Sequence, residues 1–259
     1  MIDAAPQAFA LVVAAAFGAI IGSFLNVCIY RLPLRASVVA PASACPHCRH
    51  ELSWFENIPI ISWLVLRGRC RSCRAWIGIR YPSVEAITAV MFAAGWWGYG
   101  PTPLLVSRLI FGCALIVLFA IDLEHQLLPN VITLPGIVVG FLFSLITDPG
   151  WQASLVGILA GGGVLFGVAE AYYRLRHEEG LGMGDVKMLA MVGAFLGWKL
   201  TLVTLMMASL CGSIVGVLLI VTRRGGLKYA LPFGTFLALG AAAAATVGPA
   251  VLNWYLGLL

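Results

Sequence analysis

The sequence predicts an all-α protein, namely a polytopic transmembrane helical bundle of about eight helices with a small cytoplasmic zinc-knuckle domain. Of its 259 residues, 61% are hydrophobic and 10% are charged, whereas a soluble domain keeps about a quarter of its residues charged. The apolar residues form continuous runs rich in Ala, Leu and Gly. Such runs favour membrane helices over the alternating segments of about ten residues that build a β-barrel.

Each apolar run is a candidate helix, because a helix needs roughly 20 apolar residues to cross the hydrocarbon core. The runs lie near 8–30, 82–100, 104–122, 130–147, 152–173, 185–199, 200–222 and 231–257. The sixth is short and begins with a charged residue. The first is too long for a cleaved signal peptide and lacks its basic start. On one face of the first run Gly18, Gly22 and Asn26 recur every four residues, which predicts close packing against another helix.

The basic residues predict the orientation, because Lys and Arg accumulate in cytoplasmic loops. Arginines are dense after the first helix, at positions 31, 35, 49, 67, 69, 71, 74 and 80. With eight crossings, Arg174, Arg176, Arg223, Arg224 and Lys228 fall on the same side, and loops 100–104 and 148–152 carry no basic residue. We therefore expect both termini outside. Orientation and contact with anionic membrane lipid account for the net charge of +5 without a nucleic acid partner.

The chain is expected to divide into a first transmembrane helix (1–30), a polar segment (31–81) and a transmembrane domain (82–259). The polar segment contains Cys45, Cys48, Cys70 and Cys73 in two CxxC turns. Two such turns can complete a closed, structural Zn²⁺ site. The alternative is two disulfides, which a reducing cytoplasm disfavours. His47 and His50 are alternative ligands, but the four cysteines suffice.

Two aspartates stand out, because ionisable residues in membrane segments are costly and mark functional sites. Asp122 ends the third run, and Asp185 begins the sixth after a glycine-rich turn; both are expected at cytoplasmic helix ends. Gly182 and Gly184 would let a substrate strand approach the backbone, and Lys187 would contact substrate or headgroups. The structural alternatives are a helix N-cap for Asp185 and a polar helix end for Asp122. Glu124 and His125 are expected in a loop.

Two carboxylates at one depth could act as an acid–base pair. One, when ionised, takes a proton from water, and the other, when protonated, polarises a peptide carbonyl; held about 3 Å apart they share one proton. Asp185 lies at a helix N-terminus and Asp122 at a C-terminus. The helix dipoles therefore predict Asp185 as the base and Asp122 as the acid.

These motifs resemble those of the bacterial type IV prepilin peptidases, which are GxGD-type membrane aspartyl proteases, over nearly the whole chain. Five elements appear in the family's order. They are residues 22–33, the paired CxxC segment, residues 122–130, residues 179–187 with Asp185 as the GxGD aspartate, and residues 232–234. Asn130 stands where many members have a second aspartate.

The resemblance implies a bacterial inner-membrane enzyme whose catalytic residues are Asp122 and Asp185. It further implies that basic leaders of type IV prepilins and pseudopilins are cleaved after a glycine on the cytoplasmic side. N-methylation of the new terminus with S-adenosylmethionine is implied for members that carry the knuckle domain. The alternatives are a presenilin-like intramembrane protease and a non-enzymatic membrane scaffold or transporter. The helix-end positions of the aspartates and the knuckle disfavour the first, and the lack of paired interrupted helices disfavours the second.

Overall fold

The computed structural model describes residues 4–177, 182–222 and 231–257. Two predicted features lie outside the described residues. They are the basic cluster at Arg223, Arg224 and Lys228 and residues 179–181 of the second motif. The α-helices are α1 (Ala4–Arg31), α2 (Ile61–Val65), α3 (Arg80–Tyr99), α4 (Pro103–His125), α5 (Asn130–Ser144), α6 (Trp151–Arg176), α7 (Met183–Val221), α8 (Phe233–Thr246) and α9 (Gly248–Leu256). A short 3₁₀ helix spans Trp54–Asn57. Apart from two isolated β-bridges, the described residues contain no strand, which confirms the all-α prediction.

The sixth and seventh predicted helices form one 39-residue run, α7, that is interrupted at Gly197. An unbroken helix of that length would measure about 58 Å at 1.5 Å per residue, twice the roughly 30 Å hydrocarbon core. Gly197 has φ 75° and ψ 168°, a conformation outside the helical region that only glycine adopts readily. The break falls two residues before the predicted boundary at 199.

Among the residues that the structure describes, four helices are long and apolar enough to cross a membrane, namely α1, α4, α6 and α7. A fifth span is possible if α8 and α9, which meet at 67°, count as one. Helix α5 is apolar but has only 15 residues. The polytopic membrane class is therefore confirmed. The number of crossings, eight, and their direction stay predictions.

The chain separates into two compact units, Met1–Cys113 and Ala114–Leu259. In the first unit α1 packs on α3 through the predicted small-residue face. A Cβ on Gly22 would lie 2.7 Å from the Cα of Glu85, and one on Gly18 would lie 2.8 Å from the carbonyl oxygen of Thr88. Asn26, one turn further along, donates a hydrogen bond to the Tyr81 carbonyl at 3.0 Å. The predicted close packing is confirmed.

In the second unit the first half of α7 forms the centre. Residues 188–197 are all buried, and α5, α6 and α8 pack against α7. In contrast, the second half exposes large apolar side chains such as Met206 and Leu210. The segment that begins with Asp185 is thus enclosed by protein, which explains why a short helix with an acidic start occurs in an apolar chain.

Candidate active site and metal centre

The two CxxC turns of the first unit have the same backbone design. The Cys45 N–H donates to the His50 carbonyl at 2.9 Å, and the Cys70 N–H donates to the Ala75 carbonyl at the same distance. After each turn an arginine adopts a left-handed conformation, with φ 58° at Arg49 and 60° at Arg74. In each matched turn the first cysteine is buried and the second is exposed.

The four cysteines converge on one point. Their Sγ atoms all lie within 4.8 Å of one another, with Cys45 and Cys73 at 3.8 Å and Cys48 and Cys70 at 3.9 Å. A tetrahedral ion with metal–sulfur bonds of about 2.3 Å sets the sulfur–sulfur distance near 3.8 Å. All four thiols are free of disulfide bonds, so the cluster can hold a metal ion.

The histidines beside the first turn are not part of this cluster as the described residues define it. His50 instead faces Glu56, with its Nε2 atom 3.2 Å from Oε2 of the carboxylate. The Ser53 N–H donates to the same oxygen at 2.9 Å. This capping interaction lowers the pKa of Glu56, first through the backbone hydrogen bond and then through His50.

Asp122 lies in the second unit, in the last turn of α4, and its side chain is buried. Its Oδ2 atom accepts two hydrogen bonds from Thr235, one from the backbone N–H at 2.6 Å and one from the hydroxyl at 2.9 Å. Thr235 belongs to the first turn of α8, where backbone N–H groups have no partner within the helix. The amino end of α8 therefore holds the carboxylate of Asp122.

Asp185 lies in the first turn of α7 and is also buried. Its carboxyl group is near enough to that of Asp122 for the two to interact electrostatically. Leu128, from the segment after α4, touches the backbones on both sides: a Cβ on Gly184 or on Gly234 would lie 2.9 Å from its side chain. The ends of α4, α7 and α8 thus meet around two carboxyl groups.

The predicted supporting residues take different positions. Gly182 is the N-cap of α7, and a Cβ there would be 3.4 Å from an oxygen of Asp185, an ordinary contact. Gly184 packs on Leu128. Lys187 donates a hydrogen bond to the side-chain oxygen of Asn130 at 2.9 Å, so the asparagine that departs from the family pattern has a lysine partner. These roles stay predictions.

The expectation that Glu124 and His125 lie in a loop is wrong, because they are the last two residues of α4. Both are exposed, with 3.9 Å between Oε2 of Glu124 and Nε2 of His125. Sequence reasoning missed Thr235, which is 113 residues away from Asp122 along the chain. The signal for it was present, because Thr235 directly follows the Pro232-Phe233-Gly234 element.

Comparison with known proteins matches both parts of the chain. The family model for the bacterial peptidase A24 N-terminal domain covers residues 16–99. That for the type IV leader peptidase family covers residues 109–217, which include both aspartates. No solved structure matches the chain significantly.

Several curated relatives are similar over almost the whole chain. A prepilin leader peptidase/N-methyltransferase of Aeromonas hydrophila is 38% identical, covering 93% of this chain and 91% of the relative. Proteins of the same name from Burkholderia pseudomallei and Pseudomonas aeruginosa are 36% and 35% identical, covering 93% and 92% of this chain and 86% and 91% of the relatives. The chain is therefore a multi-pass membrane protein that belongs to the type IV leader peptidase family.

Proposed function

We propose that this protein is a membrane aspartyl endopeptidase that cleaves the basic leader from type IV prepilins and pseudopilins, after a glycine, and then N-methylates the new terminus. The observation that carries the peptidase proposal is the meeting of Asp122 and Asp185. Both side chains are buried, they interact electrostatically, and they lie in the segment that matches the family model. Neither helix capping nor a polar helix end requires two buried carboxyl groups at one place.

The pair supports hydrolysis with one shared proton. The ionised carboxylate takes a proton from a water molecule, whose oxygen attacks the scissile carbonyl carbon. The protonated carboxyl gives its proton to the carbonyl oxygen, which forms a neutral gem-diol. On collapse one carboxyl group gives its proton to the leaving nitrogen, the C–N bond breaks, and a hydroxyl of the gem-diol returns its proton to the other carboxylate. The carboxylic acid of the leader is released and the pair again holds one proton.

We assign the ionised role in the resting pair to Asp122. Two donors from Thr235 point at its Oδ2 atom, and hydrogen bonds to a carboxylate favour its charged form. The positive end of α8 acts in the same direction. The dipoles of α4 and α7 alone predict the reverse assignment. That prediction does not include the dipole of α8, the third helix that meets the pair.

The metal centre is proposed to be structural zinc, held by Cys45, Cys48, Cys70 and Cys73. Four thiolates in a tetrahedron suit Zn²⁺ and leave no open position for a substrate. The observed spacing of 3.8–3.9 Å between facing sulfurs fits such a site. We therefore propose that zinc stabilises the fold of residues 31–81 and takes no part in peptide hydrolysis.

The protein is proposed to lie in the bacterial inner membrane. In the proposed orientation the knuckle and the two aspartates face the cytoplasm, and both termini lie outside. The arginines of the segment between α1 and α3 support this orientation, since positive charge accumulates on the cytoplasmic side. A prepilin substrate has its basic leader on that side and an apolar helix in the membrane. Its scissile bond would then lie at the interface, where water is available.

Methylation is proposed from the relatives' shared name, prepilin leader peptidase/N-methyltransferase. S-adenosylmethionine, when bound, would supply the methyl group. The first unit matches a family domain separate from that of the peptidase, and this supports a second activity with its own site.

Incubation of the purified full-length protein in detergent with a prepilin tests both activities. Mass spectrometry should show loss of the leader and, with S-adenosylmethionine, addition of one methyl group to the new terminus. Asp122→Asn and Asp185→Asn should each abolish cleavage. Asp148→Asn, which changes an exposed aspartate, is the matched control and should cleave normally. Cleavage by either active-site variant at the wild-type rate would refute the paired-carboxylate mechanism.

A further inference from the structure

The first unit contains a partly open cavity of about 250 Å³ beside the metal centre. Its wall comes from α1, both cysteine turns, α2 and the start of α3, and it includes Cys45 and Cys70 themselves. Small-molecule sites begin near 300 Å³, and a partly open cavity can hold a ligand that extends beyond it. The size is therefore that of a site for a small organic molecule.

Two buried acceptor atoms in this wall have no hydrogen-bond partner. Glu56 is 8% exposed. Its Oε2 atom accepts a hydrogen bond from the Ser53 N–H and faces His50, whereas its Oε1 atom has no hydrogen-bond partner. Asn26 is 3% exposed; its amide nitrogen donates to the carbonyls of Gly22 and Tyr81, but its Oδ1 atom has none. In each side chain one atom is anchored by the fold, and the other is unpaired and covered by the surrounding protein. A ligand in the cavity would reach this oxygen after a small movement of the side chain.

Unpaired buried acceptors are costly, most of all in a charged group, and folded proteins rarely retain them without a reason. A third acceptor, the buried carboxylate of Glu85, also lines the cavity and accepts a hydrogen bond from the Ile60 N–H at 2.7 Å. Two carboxylates and an amide oxygen favour a ligand that carries N–H donors and positive charge.

Aromatic rings supply the apolar part of the wall. Trp63 and Trp76 meet edge to face, with ring centroids 5.9 Å apart. The Trp63 indole N–H is already bonded to the Ile77 carbonyl at 3.0 Å, which fixes the ring in place. Tyr30 and Tyr81 also line the cavity. Such faces stack on a planar base and attract cations.

We infer that this cavity binds S-adenosylmethionine, an inference that rests on the proposed N-methyltransferase activity. The molecule combines a sulfonium and an ammonium, which match the carboxylates, with an adenine ring, which matches the tryptophans. Arg31 and Arg71 in the same wall supply positive charge for its own carboxylate. The Arg31 guanidinium also donates to the carbonyls of Ser37 and Pro41, at 3.0 and 2.8 Å. That of Arg71 lies over the Phe55 ring. Of the small molecules that the proposed reaction involves, the methyl donor is the one with all of these groups.

Methyl transfer in this cavity is a direct displacement at the methyl carbon. The α-amino nitrogen of the cleaved pilin gives its lone pair to the methyl carbon. The carbon–sulfur bond breaks with its electrons on sulfur, so that a neutral thioether is left. The proton that the ammonium loses passes to water. Glu56, Glu85 and Asn26 take no covalent part; they bind and orient the cationic groups.

The test measures binding by the full-length protein in detergent, independently of methylation. Equilibrium dialysis with methyl-tritiated S-adenosylmethionine gives the affinity, and ultraviolet cross-linking followed by peptide mapping gives the location. Glu56→Gln keeps the acceptor for Ser53 but removes the charge, and Trp76→Leu changes a side chain that is 61% exposed and so leaves the core intact. Glu51→Gln, an exposed change outside the cavity wall, is the matched control. Zinc content reports whether each variant is folded.

Support would be a roughly 10- to 100-fold loss of affinity in Glu56→Gln and a clear loss in Trp76→Leu, with normal zinc content, unchanged binding in Glu51→Gln and a cross-link within residues 23–85. If the wild type methylates a prepilin but the two cavity variants bind the donor normally, the cavity assignment is wrong and the proposed function stands. If the wild type neither binds nor methylates, the proposed methyltransferase activity fails and this inference fails with it. Loss of leader cleavage alone would refute only the peptidase proposal.

Discussion

Thr235 donates both its backbone N–H and its hydroxyl to a single oxygen of Asp122, at 2.6 and 2.9 Å. This double contact makes the start of α8 part of the carboxyl pair, although α8 carries no carboxylate of its own among its described residues. It also gives the pair an asymmetry that can be tested.

Thr235→Val should lower kcat/KM for leader cleavage about tenfold or more. The change removes the hydroxyl but keeps the backbone donor and the side-chain shape, and one hydrogen bond to a charged group contributes about 1.5–3 kcal/mol. Thr235→Ser keeps the hydroxyl and is the control, which should remain within a few-fold of the wild type. Equal rates for Thr235→Val and the wild type would show that the hydroxyl has no role.

Gly234→Ala should reduce cleavage strongly without unfolding the protein. An added Cβ would lie 3.0 Å from the carboxyl carbon of Asp122 and 2.9 Å from Leu128, so the carboxylate must shift. The helix itself gains, because alanine is favoured over glycine by about 1 kcal/mol. Gly167→Ala in α6, where a Cβ meets nothing within 4 Å, is the control for the helix effect and should cleave normally. A fully active Gly234→Ala variant would show that the close approach of residue 234 to the Asp122 carboxyl group is not needed for cleavage.

Infrared difference spectra should locate the charge of the resting pair. At neutral pH we expect one carboxylate band to disappear in Asp122→Asn, and a protonated carboxylic acid band to disappear in Asp185→Asn. The physical reason is that the Thr235 donors stabilise the anion at Asp122. If the two bands respond the other way round, the acid and base assignments are reversed, as the dipoles of α4 and α7 alone predict. The pair titrates as a unit, so the spectra are compared at one pH.

Cys70→Ser should remove the bound metal and loosen the knuckle while leader cleavage continues. Cys70 is buried in the four-cysteine cluster, and structural zinc sites contribute directly to folding. Metal content falls in this experiment, and limited proteolysis within residues 31–80 speeds up. Cys211→Ser, an exposed cysteine outside the cluster, is the control. Retention of stoichiometric zinc by Cys70→Ser would refute the ligand assignment.

Patterns within one helix or one turn were readable from the sequence. The apolar runs correspond to helices, and the CxxC spacing led to a real cluster of four thiols. The close approach of Gly18 and Gly22 to a neighbour was also predictable, because small residues at every fourth position have few other uses.

Contacts between distant segments were not readable in the same way. Thr235 is an unremarkable residue type near a helix start, and only the tertiary packing of α8 makes it a partner of Asp122. The role assignment from helix dipoles did not include α8 for the same reason, and the two assignments stay open to the infrared test. The unpaired oxygens of Glu56 and Asn26 likewise depend on folded contacts that no local pattern encodes.

The break at Gly197 has a consequence for biogenesis. The short segment ahead of it is buried throughout residues 188–197 and packs against α5 and α6, so it gains little by partitioning into the bilayer alone and begins with a charge that opposes entry. Its stable insertion should wait for the neighbours that surround it. The peptidase site would then assemble last, after α8 has been synthesised and packed.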